Sequence, residues 1–175
     1  MHDRKKHLAK AIISEIVRQS GGRLESKTKL FKAFWKAHLN YARDRHQLLT
    51  DWPIIRMPHG PGIGDVDELT GSMMVDDELV VTDVAKGQFT AMAYELGLEP
   101  IPDELPEDMK AAVAEAVEWI RGKTANQLSN ESHEASWQWR QLSDGMEMDI
   151  FLDLIPEEVY TEKLSRARGI LAITA

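Results

Sequence analysis

The sequence predicts a mainly α fold of the α+β type: a single compact helical domain, residues 1–175, with a small central β ribbon. Three observations predict it. Apolar residues recur at helical spacing through residues 2–20, 26–43 and 106–122. A Pro/Gly-rich stretch at 52–65, WPIIRMPHGPGIGD, forbids regular helix, and a β-like run, ELVVTD, follows it. The chain of 175 residues is 43% hydrophobic and 29% charged, which suits one soluble domain that buries its own core without a metal or a disulfide.

The elements follow in order. His2 to Ser20 places Leu8, Ile12, Ile13, Ile16 and Val17 on one helical face. Gly21–Gly22 ends that helix, because glycine enters the left-handed cap conformation without a steric cost. The helix at 26–43 carries the largest apolar payload: Leu30, Phe31, Phe34, Trp35, His38, Leu39 and Ala42, with Lys27, Lys29, Lys32 and Lys36 on its other sides. It is expected at the centre of the core. Residues 52–57 read as a short extended segment, and Asp65 is placed to cap a short helix through Met74. After the turn signal Asp76–Asp77, residues 78–82 are expected to pair with 53–57 as a two-stranded ribbon. Gln88 to Leu96 reads as a helix closed by Gly97, and LEPIPDELPE as a surface connection.

Pro106 suits the first position of a helix whose stripe is Met109, Ala112, Val113, Ala116, Val117 and Ile120, ending near Gly122. Thr124 with Gln127 forms a capping box that opens a helix reaching about Glu131. Ser136 to Leu142 reads as one or two helical turns, broken by Gly145, and MDIFLDLI as extended chain or loop. Pro156 opens a last helix to about Arg168, leaving the apolar tail GILAITA.

Charge and composition exclude several classes. With no cysteine, disulfides, thiolate catalysis and cysteine-based metal sites are ruled out. The basic amino terminus is interrupted by Ser14 and Glu15 and lacks a cleavage site, so it reads as a helix and not a signal peptide. No apolar run approaches the ~20 residues of a membrane span, and a cytoplasmic protein is expected. Residues 1–46 hold twelve Lys/Arg against four Asp/Glu, whereas residues 47–175 hold nine against twenty-five. Such a dipolar chain can steer toward a partner with a complementary patch. The acidic total and the lack of base-reading side chains on the 26–43 helix make nucleic acid an unexpected partner.

Two stretches invite chemistry. HGPGIGD, 59–65, lacks the Lys-Ser/Thr of a P-loop and the GxGxxG spacing of a dinucleotide loop, so it reads as a rigid turn. SHEASW, 132–137, lacks the second histidine of HExxH, because Trp137 stands in its place. His133 with Glu134 as an acid–base pair would need a nucleophile or a second carboxylate, and the sequence nominates neither. The segment reads instead as a staple: Ser132 or Ser136 caps the Trp137 turn, and His133 donates to a buried carbonyl. Among Trp119, Trp137 and Trp139, at least one is expected in the core with its N–H satisfied, and an exposed one would be a partner anchor.

Three segments occur in a telling order: SKTKLFKAFWKAHLNYA with Lys29 and Leu30, PIIRMPHGPGI with Gly60 and Pro61, and TANQLSNESHEASWQW with Leu128, Ser132, His133, Glu134 and Trp137, trailed by Gly145. Together they resemble the Panacea domain, also called the SocA-like antitoxin or phage-associated domain, over roughly residues 8–150. His59 stands where the family often has an aromatic residue, and Ser136 where proline commonly precedes the tryptophan. The extension at 151–175 lies outside the resemblance. The resemblance implies a non-enzymatic antitoxin that neutralises a co-encoded, often translation-blocking, protein toxin by direct binding. It implies a structural role for the motif positions, with no catalytic residue, no metal ligand and no cofactor. The alternatives are a DNA-binding transcriptional autoregulator and an adapter that delivers its toxin to a AAA+ protease, with ILAITA as a degradation tag or a buried strand. A homo-oligomer is compatible with either.

Overall fold

The computed structural model describes residues 2–102 and 104–173, and the fold is mixed α+β, with eight helices and five strands among those residues. The stripe at 8–17 folds into α1 (His2–Gln19). Gly21 and Gly22 then take φ of +87° and +86°, and their N–H groups return to the Arg18 and Val17 carbonyls. A three-residue strand the periodicity does not announce, β1 (Arg23–Glu25), leads into α2 (Lys27–Arg45), whose first turn is capped by the Ser26 hydroxyl accepting from Lys29 N–H. As expected, α2 is the axis of the core: Leu30, Phe34 and Trp35 have no exposed surface. It packs against α1 and against α4 (Glu107–Ile120), where the Trp35 and Trp119 rings meet edge-on, 6.1 Å between centroids.

The β architecture corrects the expected ribbon. Residues 54–57 and 78–82 lie in separate sheets. β2 (Ile54–Met57) folds straight back on β3 (Gly60–Ile63) across the two-residue turn Pro58–His59, with Met57 opposite Gly60. β4 (Leu79–Lys86) pairs with β5 (Phe89–Leu96) across Gly87–Gln88, and β1 joins the far side of β5, giving the order β1–β5–β4. Local two-residue turns close a hairpin at far lower entropic cost than the long loop the expected pairing needed. The segment expected as a helix from Gln88 to Leu96 is therefore a turn residue followed by strand. Its Ala, Met, Glu and Leu favour helix intrinsically, but the turn and the cross-strand partners override that preference.

The remaining elements place the carboxy-terminal half. Asp65 precedes α3 (Val66–Val75) with φ +44° and makes no side-chain cap bond, unlike the expected cap. The Thr124/Gln127 capping box is present and opens α5 (Ala125–Ala135), and Ser136 caps the short α6 (Trp137–Gln141). Gly145 to Met148 lies along the free side of β2, with Gly145 N–H on the Arg56 carbonyl and Met148 N–H on the Ile54 carbonyl, each 2.8 Å. MDIFLDLI then forms a helical turn, α7 (Ile150–Asp153), where extended chain or loop was expected, because the Asp149 carboxylate accepts from Phe151 N–H. The last helix, α8 (Glu157–Ile173), outruns its expected end, so 170–173 are helical and not a buried strand. Thr174 and Ala175 of the ILAITA tail lie outside the described residues. Among the described residues, no helix is long and apolar enough to cross a membrane.

Candidate functional site

Lys32 stands three residues before Trp35 and seven before Leu39, so the helical repeat puts it on the buried stripe of α2. It was expected with Lys27, Lys29 and Lys36 on the sides of the helix away from that stripe. The structure corrects this: the side chain is 1% exposed, and its ammonium donates to the Pro61 carbonyl at 2.9 Å. Burial pushes the amine down to about 7.

α5 and α6 approach the same hairpin from the other side. Leu128 and Ser132 have no exposed surface, and the Ser132 hydroxyl donates to the Ser129 carbonyl at 2.8 Å. Next along α5, His133 lies flat on the Trp139 indole, 3.5 Å between centroids and 6° between planes. The indole N–H of Trp139 donates to the Met57 carbonyl at 2.7 Å, and the Arg56 guanidinium covers the remaining ring face at 4.5 Å. Burial first, then the charge of Lys32, hold the His133 pKa below its usual value; the His59 backbone pulls the other way. His133 Nε2 is buried and makes no hydrogen bond, but the ring does bond to the His59 backbone, as the expected donation to a carbonyl requires, and it adds the aromatic stack on Trp139.

Gly60 is the point on which these groups converge. Its φ is +101°, and a Cβ there would collide with Ser132 Oγ, stand 2.5 Å from Lys32 Nζ and 3.2 Å from His133 Cδ2. Only a residue without a side chain lets α2, β3 and α5 close on one another here. Serine, lysine and histidine in one corner are the residue types of acyl-transfer chemistry. Ser132, however, presents no surface, and its O–H is engaged with the Ser129 carbonyl. What the corner does is join three segments around a bare turn.

Of the other motif positions, Leu30 is core, and Pro61 is buried beside Gly60. Lys29 lies half-buried on a separate cleft bordered by Leu24 and Val117. Glu134 is exposed, and its backbone carbonyl accepts from Arg140. Trp137 is buried, its indole N–H on the Leu152 and Ile155 carbonyls and its ring against Tyr160. Gly145, φ +82°, sits at the edge of β2. The structure thus gathers Gly60, Pro61, Ser132 and His133, and leaves Lys29, Glu134 and Trp137 apart. Lys32, Arg56 and Trp139 complete the corner and were not singled out from the sequence as site residues. Among the described residues, no group of three or more histidines or carboxylates could hold a metal ion.

A second feature lies away from the corner. β4 is the outer strand of its sheet, and its eight residues pair only on the β5 side. Register places Val80, Thr82 and Val84 opposite Glu95, Ala93 and Ala91 on one face, with Val80 43% and Phe89, near the hairpin tip, 78% exposed. Residues 76–99 carry six Asp/Glu and one Lys. The arm is an open acidic strand edge with an apolar face.

The chain matches no family model, no curated protein and no solved structure.

Proposed function

We propose that the protein is a cytoplasmic antitoxin built on a Panacea-like scaffold, which neutralises a co-encoded toxin by covering it. The observation that supports this most is the β4–β5 arm. An eight-residue open edge beside an exposed phenylalanine is a surface onto which a second protein adds a strand, main-chain bonds giving affinity and apolar pockets giving specificity. Its acidic surround selects a basic partner. A toxin that blocks translation by acting on RNA or nucleotides must itself carry a basic face, since phosphate binding depends on concentrated positive charge. An acidic arm laid across that face occludes it sterically and electrostatically. A standard interface of roughly 1,600 Å² suffices for tight inhibition.

The corner around Gly60 supports the same reading from the inside, because its chemistry-bearing side chains are engaged in holding the scaffold. The test is co-expression with the product of the adjacent reading frame, read by pull-down and growth rescue. A complex and rescued growth are expected. Neither one appearing sinks the proposal, and a promoter-fragment shift with steep salt dependence in their place would favour the autoregulator.

A further inference from the structure

Beside the corner, between the first turns of α2 and the Pro58–His59 turn, lies a pocket of about 280 Å³. Its walls are Phe31, Met57 and Pro58, and its charged lining residues are Lys27 and Lys32. We infer that this pocket is a binding site for a carboxylate carried on a short apolar stem, with the Lys32 ammonium as the counter-charge.

Three observations carry the inference independently of the antitoxin reading. Lys32 is 1% exposed, and among the described residues it has a hydrogen bond to a neutral carbonyl and no carboxylate partner. An unpaired ammonium in such a place is costly, and an anion arriving in the adjoining pocket removes that cost. Gly60 lines the pocket beside Lys32 and has no side chain to fill it, and a Cβ there would stand 2.5 Å from Nζ. Finally, Lys27 and Thr28, the first residues of α2, also line the pocket, so the positive end of a 19-residue helix adds to the potential there. Lys27 pairs with Asp67 at 3.2 Å, with its ammonium 5.6 Å over the Phe31 ring. The apolar walls fit the stem and the lysines fit the head.

The probes are hexanoate, its neutral isostere hexanamide, and an acetylated dipeptide ending in leucine with a free carboxylate. NMR of the full chain reads the amides of Phe31, Met57 and Gly60 and the side-chain titration of Lys32. Hexanoate is expected to move those amides and to raise the proton affinity of Lys32 about tenfold, one pH unit, whereas hexanamide moves neither. Lys32→Met should abolish the hexanoate response. The dipeptide binding at least about tenfold more tightly than hexanoate assigns the carboxylate to a protein C-terminus, and the reverse order to a free acid. Equal responses to hexanoate and hexanamide, or a Lys32 titration that hexanoate leaves unmoved in the unaltered chain, overturn the site whether or not the variant folds.

Discussion

The Lys32 ammonium nitrogen lies 2.9 Å from the Pro61 carbonyl oxygen, tying α2 to the β2–β3 hairpin across 29 residues of sequence. The amine titrates near 10.5 in the unfolded chain and about 7 in the fold. Between those values the unfolded chain holds the extra proton, so stability rises with pH through that window, by up to about 1.4 kcal/mol per pH unit. Below it both states are charged and the penalty is constant and complete. Lys32→Met removes the titration. Urea midpoints should climb from pH 7 to pH 9 in the parent relative to the variant, and the variant should be the more stable at pH 7 by roughly 1–4 kcal/mol. Parallel profiles would mean that the amine is solvated.

Gly60 and Gly21 share a left-handed backbone and differ in surroundings. A Cβ at Gly21 meets nothing within 4 Å, whereas at Gly60 it meets Ser132, Lys32 and His133. Gly21→Ala should therefore lose only the conformational cost, about 1 kcal/mol. Gly60→Ala adds a steric clash and should lose several kcal/mol, on the order of 3 or more. Thermal melts of the two variants decide it: equal losses would refute the close approach.

His133 acts on the fold through its flat contact with Trp139. His133→Ala should lower stability by about 1 kcal/mol, and His133→Phe, which keeps a ring over the indole, should recover most of it. Loss of partner binding by His133→Ala at an unchanged melting temperature would make the residue functional and not a staple.

Much of this architecture is readable from local pattern. α1, α2 and α4 announce themselves by an apolar stripe and α5 by its capping box, and both signals are short-range. β5 does not, because FTAMAYEL is made largely of helix-favouring residues; only the two-residue turn before it and its partners on both sides make it strand. β1 exists because β5 passes beside it. Within the corner, Ser132 and His133 stand out by residue type. Lys32 was overlooked since lysine defaults to solvent, although its phase relative to Trp35 and Leu39 already put it inside. The Arg56–Trp139 contact joins residues 83 apart and has no local signature.

His38 is an acid-labile point of the core. It is 1% exposed, its Nδ1 is 2.9 Å from the Phe34 carbonyl, and burial pushes its pKa down to about 4 from 6.5. Above pH 6.5 neither state is protonated and nothing is lost. As pH falls through 6.5 toward 4, the unfolded chain takes the proton first, and about 3 kcal/mol of stability disappears. Chemical denaturation of His38→Leu should show a flatter profile from pH 7 to pH 4 than the parent. An identical acid limb would exclude His38 as its cause.

The open edge of β4 makes the partner-binding proposal specific to single backbone groups. The Gly97 N–H donates to the Glu78 carbonyl, so with the antiparallel alternation Val80, Thr82 and Val84 direct their backbone groups to β5, and Val81, Asp83 and Ala85 direct theirs outward. Asp83→Pro removes one outward N–H without touching the β5 ladder, a substitution an edge strand tolerates. Phe89→Asp removes the exposed ring near the tip. Each variant should keep its melting temperature within about 2 °C of the parent, as surface changes do. Each should also weaken capture of the co-encoded partner at least about tenfold, the order expected when an interface anchor or a main-chain bond is lost. If both variants capture the partner as the parent does, the partner sits elsewhere on the molecule, and an edge left open for some other purpose must be explained by the acidic side chains that surround it.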